Sequence, residues 1–136
     1  MSFAKHPVWL VGFRPFFILS CLSGLTLPII WALMFSGTIG LPHSGYSIVQ
    51  WHAHEMFFGF GWALLGGFLL TATKNWVKIR GWHGNALIFL VAAWCFERIG
   101  MAFGGSWPAP LFLLSNQLFL VSLIGMLLWS LLRHRE

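Results

Sequence analysis

Four long apolar runs, separated by short polar segments, set the pattern of the chain. The first, FFILSCLSGLTLPIIWALMFS at about 16–36, carries no charge. The second, HAHEMFFGFGWALLGGFLLTAT at about 52–73, has its only acid, Glu55, near its start. The third, NALIFLVAAWCFERIGMAF at about 85–103, carries Glu97 and Arg98. The fourth, LFLLSNQLFLVSLIGMLLWSLL at about 111–132, is again uncharged. A helix needs about 20 apolar residues to cross a hydrocarbon core roughly 30 Å thick, and each run meets that length. Pro15 suits a first helical turn, and Pro28 is expected to kink the first helix. The connectors GTIGLPHSGYSIVQ, KNWVKIRGWHG and GGSWPAP hold the Gly, Pro and polar residues of loops. The expected fold is therefore all-α: one integral membrane domain over residues 1–136, a bundle of four transmembrane helices.

Composition agrees with this reading. Of 136 residues, 58% are hydrophobic and 8% charged, against roughly a quarter charged in a soluble domain. Nine Trp and fourteen Phe suit a bilayer protein with interfacial aromatics. Cys21 and Cys95 lie in separate apolar runs and form no metal or disulfide pattern. The first fifteen residues, broken by Arg14-Pro15, do not resemble a cleaved signal peptide, so the first helix is expected to remain as an anchor.

The basic residues orient the bundle. Lys5 and Arg14 precede the first run, Lys74, Lys78 and Arg80 lie between the second and third, and Arg133 and Arg135 follow the fourth. With four spans they all fall on one side. The opposite loops, 37–51 and 104–110, hold no Lys or Arg. The positive-inside rule then places both termini in the cytoplasm. The net charge of +5 reflects this asymmetry and gives no basic face for nucleic acid.

The costly residues cluster in depth. At about 1.5 Å per residue, Glu55, Glu97, Arg98 and Asn116 lie roughly 4–10 Å from the outer boundary. Ionisable groups at such depth face a bundle interior and mark function. A plain alternative exists for each: Glu97 and Arg98 as a structural pair with Arg98 over Trp94, and Asn116 and Gln117 as interhelical glue.

The segment WHAHEM concentrates the candidate ligands. On a regular helix His52 and His54 point about 200° apart, so one can ligate while the other orients or serves a second site. His52 shares its face with Met56, Gly59, Ala63 and Gly67, a small-residue ladder open to another helix or to a flat cofactor. His suits iron or copper, and Met34, Met56 and Met101 could add soft ligands for Cu(I) or simply pack the core. No Ser-His-acid set or nucleotide loop points to a hydrolase.

FRPFF at 13–17, WHAHEMFFGFGWALLGGFLLTATKNW at 51–76 and AAWCFERIG at 92–100 resemble the NnrS family. Members are bacterial inner-membrane proteins described as haem- and copper-containing and linked to nitric oxide and denitrification. The likeness covers the N-terminal four-helix portion of the family pattern, without its later histidine-bearing helices. It implies a haem site, with copper as a second candidate, held by His52, His54 or both. Met56 and Arg98 would contact the cofactor, Arg98 by pairing with haem propionates. Glu55, Glu97 and Asn116 would support the ligands. His52, Met56, Gly66-Gly67 and Asn75-Trp76 are also similar to the second helix of haem-copper oxidase catalytic subunits. That likeness implies His52 as an axial ligand, the other coming from His54, His43 or another copy. A homo-oligomer or another membrane subunit is the implied partner. The competing expectation is a metal-free accessory subunit whose His/Glu/Arg cluster holds helices two to four together.

The topology has a direct check. A reporter enzyme active only outside the cytoplasm, fused after Glu136, is expected to be silent; activity there overturns the orientation.

Overall fold

The computed structural model describes residues 2–134; Met1, Arg135 and Glu136, including one of the basic residues used above for orientation, lie outside the described residues. Four helices are long and apolar enough to cross a membrane: α1 (Phe13–Phe35), α2 (Ile48–Trp76), α3 (Asn85–Phe103) and α4 (Ala109–Arg133). No strand occurs among the described residues. Many large apolar side chains point outward, among them Leu22, Leu25, Val121 and Leu128. A soluble protein avoids so large an apolar surface, whereas a lipid-facing one requires it.

Local chemistry sets the helix ends. α2 starts at Ile48, earlier than the apolar run implied, because Ser47 and Gln50 form a reciprocal cap. The Gln50 N–H donates to Ser47 Oγ at 3.2 Å and the Ser47 N–H to Gln50 Oε1 at 3.0 Å. This satisfies two N–H groups that the helix cannot pair internally. α3 follows Gly84, whose φ of 58° a side chain would resist. There the Gly84 N–H donates to the Trp9 carbonyl at 2.7 Å, tying the N-terminal segment to the α2–α3 loop. α1 begins three residues before the predicted start and continues through Pro28.

The second helix is not uniform. Between Ile48–His54 and Trp62–Trp76, both α-helical, the stretch Glu55–Gly61 is π-helical. This wider turn changes the angular relation of residues before and after it, so a single 100° step does not describe the whole helix. Such insertions concentrate at functional sites.

Adjacent glycines let two helices approach α2. A Cβ on Gly67 would sit 2.9 Å from Phe16 Cβ on α1, and one on Gly66 would sit 3.1 Å from Leu123 on α4. Phe16 and Phe119 meet between them with ring centroids 5.6 Å apart. They belong to the main core, with Trp9, Leu70, Leu87, Leu90 and Leu123. The small-residue ladder is thus filled by helices at Gly67, not by a flat cofactor. α3 and α4 close on each other at Gly100, where Ser115 fills the space a Cβ would need, a small-residue crossing of the kind membrane helices use.

A second core lies toward the other end of the bundle. Leu27, Met34, Trp51 and Met101 are buried there, with Trp31, Met56 and Phe112 packed against them. Met34, Met56 and Met101, the candidate soft ligands, thus all belong to this apolar cluster. At this end the 37–47 loop is joined to the last turn of α3 by the His43 N–H donating to the Ala102 carbonyl at 2.9 Å.

Glycine substitutions should separate these contacts. Gly67→Leu must displace Phe16 and the α1 backbone, and is expected to cost about 1–3 kcal/mol. Gly125 has open space around its Cβ position, so Gly125→Ala should be neutral or stabilising by up to about 1 kcal/mol. Thermal unfolding in detergent micelles measures both, and equal effects would contradict the packing described.

Candidate functional site: a buried carboxylate cluster beside a cavity

The polar residues of α2 and α3 meet inside the bundle. Glu55 and Glu97 retain only 1% and 2% of their exposure. His54 lies between them: Nδ1 is 3.1 Å from Glu55 Oε1, and Nε2 is 3.5 Å from Glu97 Oε1. Arg98 completes the group, with Nε 3.0 Å from Glu55 Oε2 and Nη2 3.0 Å from Glu97 Oε2. None of these Arg98 N–H groups is aligned as a hydrogen bond. The distances therefore describe Coulombic pairing, which in a low-dielectric interior is strong without ideal alignment. The Arg98 guanidinium also lies over Trp94, with Cζ 5.1 Å from the ring centroid.

The π-helical stretch makes room for this arrangement. A Cβ at Gly59 would stand 2.7 Å from Arg98 Nη1, so a larger residue here would push the guanidinium away from its present place. The Gly59 carbonyl in turn accepts a 3.0 Å hydrogen bond from Trp94 Nε1. Backbone polarity of α2 and side-chain polarity of α3 thus satisfy each other away from water.

His54 and Glu97 border a cavity of about 550 Å³ between α2 and the start of α4. Small-molecule and cofactor sites span about 300–1,000 Å³. Asn116 and Gln117 line the same cavity, with Tyr46, Phe58 and Phe112 as its aromatic wall. Phe58 lies against His54, ring centroids 4.8 Å apart. Asn116 Nδ2 donates to the Phe112 carbonyl at 3.0 Å, which holds the amide at the wall.

The predicted site residues divide accordingly. His54, Glu97 and Asn116 share the cavity, and Glu55 backs His54. His52 faces α1, its ring stacked on Trp31 at 4.3 Å, and its buried Nδ1 has no hydrogen-bond partner. Met56 belongs to the second core. Arg98 does not line this cavity; it lies on the far side of the carboxylates, beside a smaller one of about 330 Å³ that Glu55 also borders. Its charge is directed at Glu55 and Glu97 rather than at a propionate in the larger cavity. His43 lines neither of these two cavities. Tyr46 and Phe58 were not singled out from the sequence: Tyr46 lies in a loop, and Phe58 is one of many aromatics.

The donor set can be tested against the groups the family pattern implies. A metal-ligating histidine usually donates its second ring N–H to a carboxylate, and the His54–Glu55 pair has that form. Nε2 of His54 then faces Glu97 Oε1, a buried oxygen with no hydrogen-bond partner. With the imidazole neutral and its proton on Nδ1, both of these atoms are acceptors, and a proton on Nε2 or a cation between them would satisfy the pair. A haem needs one or two axial ligands from the chain, and His54 is the histidine of this cluster that borders the cavity. A free copper ion fits less well, because among the described residues no three His, Cys, Asp or Glu side chains are arranged around one metal position.

A family model described as NnrS protein matches residues 7–136. No curated protein and no solved structure gives a significant match.

The cluster carries a stability prediction. Removing one partner of a buried ion pair costs about 3–5 kcal/mol. Arg98→Met should show that loss in thermal unfolding, and Glu55→Gln/Glu97→Gln/Arg98→Met should recover most of it. A triple variant no better than the single one would contradict charge pairing as the purpose of Arg98.

Proposed function

The chain belongs to the NnrS family, and from that premise we propose that it is a haem-binding protein of the bacterial inner membrane, acting in the nitric-oxide response or denitrification. Copper remains a second candidate metal, supplied with further ligands by another copy or another subunit. The observation that carries the reading is His54, oriented by Glu55 and set beside the unpartnered Glu97 oxygen at the wall of a cofactor-sized cavity. A haem held there would supply an iron centre for diatomic-gas ligation or electron transfer.

The surrounding residues have separable tasks. Glu55 holds the imidazole in one orientation through Nδ1. Phe58, Phe112 and Tyr46 offer flat apolar contact and exclude water. Asn116 and Gln117 bring hydrogen-bonding amides to the opposite wall. Arg98 pairs with both carboxylates and offsets one of their two charges, which lowers the cost of burying them beside the ligand. His52, facing α1, would be a ligand only for a separate site.

The second reading, a metal-free accessory subunit, is favoured by the ion pairs that already tie α2 to α3. One experiment distinguishes the two. Protein purified in detergent from haem-replete cells should show a Soret band and iron. His54→Ala should remove the band by an order of magnitude or more, while His52→Ala retains it. Folded, colourless, iron-free protein would contradict the haem reading, and a Soret band undiminished in His54→Ala would remove that histidine from the site.

A further inference from the structure

The opposite end of the bundle holds a separate cavity, of about 440 Å³, between the α2–α3 loop and the end of α4. Arg80, His83 and His134 line it, together with Trp82, Trp129 and Ser130. No acidic side chain is among the residues that line it, and none occurs between Lys74 and Asn85 or between Ala109 and His134, the acid nearest in sequence being Glu136 outside the described residues. The site is built rather than loose. Trp82 Nε1 donates to both the Met126 carbonyl and Ser130 Oγ, each at 3.0 Å, which fastens the loop to α4. His83 is held by Nδ1 at 2.9 Å from the Gly81 carbonyl. Arg133 lies over the Trp129 ring, Cζ 5.3 Å from its centroid.

Position decides what such a cavity can take. It sits at helix ends, where an apolar surface gives way to Lys74, Lys78, Arg80 and Arg133. Trp129 is 56% exposed beside it, as an indole at the boundary between acyl chains and headgroups would be. Basic pockets between transmembrane helices at this level bind anionic headgroups. A phosphate there would meet Arg80, whose fork matches two phosphate oxygens, while the acyl chains would run along the exposed apolar face of α4.

We propose that the cavity lined by Arg80, His83, His134 and Trp129 is a binding site for the phosphate headgroup of an anionic phospholipid. This site is independent of the cofactor reading, since it shares no residue with the cavity at His54.

Native mass spectrometry of the detergent-released, delipidated full chain tests it. Phosphatidylglycerol should be retained over phosphatidylcholine of the same acyl chains. Arg80→Gln should weaken that retention about fivefold, the equivalent of ~1 kcal/mol for one basic residue at an anionic surface. Lys78→Gln, which removes an equal charge from outside the cavity, should leave it within twofold. Equal retention of the two lipids, or equal losses in the two variants, would overturn the proposal by reducing the effect to diffuse attraction. Displacement of the lipid by equimolar glycerol 3-phosphate would overturn it too, by identifying a soluble phosphate as the occupant.

Discussion

Two carboxylates, Glu55 and Glu97, are buried within a bundle whose surface is rich in exposed apolar side chains, and one end of the structure is arranged around that cost. A lone carboxylate in such a medium is costly enough that it must be paired, hydrogen-bonded or neutralised. Arg98 and His54 meet that requirement from both helices at once. The pairing joins α2 to α3, and the orientation of His54 follows from it. Structural support and function are therefore not rival explanations of these residues. The same contacts that compensate the charges aim the imidazole.

The shape of α2 follows from the same constraint. Gly59, which meets Arg98 and Trp94 of α3, lies within the irregular part of the helix. The π-helical stretch begins at Glu55 and ends at Gly61, and within it the Gly59 carbonyl is bonded by Trp94 while its missing side chain admits the guanidinium. Above and below, ordinary helical packing resumes through Trp51 and through the Gly66-Gly67 pair. One irregular turn thus reconciles tight helix packing with a polar interior.

Much of this was legible from residue pattern alone. The four helices follow from apolar runs of sufficient length, because lipid-facing surface leaves no alternative use for them. The common level of Glu55, Glu97 and Asn116 followed from counting residues, and the structure brings those groups to one place. The start of α2 was misplaced because Ser47-Ile48-Val49-Gln50 reads as loop by composition, although its Ser-x-x-Gln spacing is a capping signal. The π-helical stretch was not legible, since no residue pattern in the run marks it and its contacts at Gly59 come from Arg98 and Trp94 of another helix. The ladder at Gly59 and Gly67 read as open to another helix or to a flat cofactor, and side chains of α3 and α1, Arg98 and Phe16, occupy those two positions. The expected role of Arg98 toward propionates met a similar limit. Helical position gave its depth, but only the side-chain geometry shows it engaged by two carboxylates.

The central claim is that His54, oriented by Glu55, presents a ring nitrogen to a cofactor-sized cavity. Chemical rescue measures this most directly. In His54→Gly the missing imidazole leaves a space at the cavity wall that free imidazole can enter. Haem titrated into the detergent-solubilised variant should give little Soret absorption, and adding imidazole should restore most of it. Full haem binding without imidazole, or none with it while His52→Gly alone shows rescue, would contradict the account.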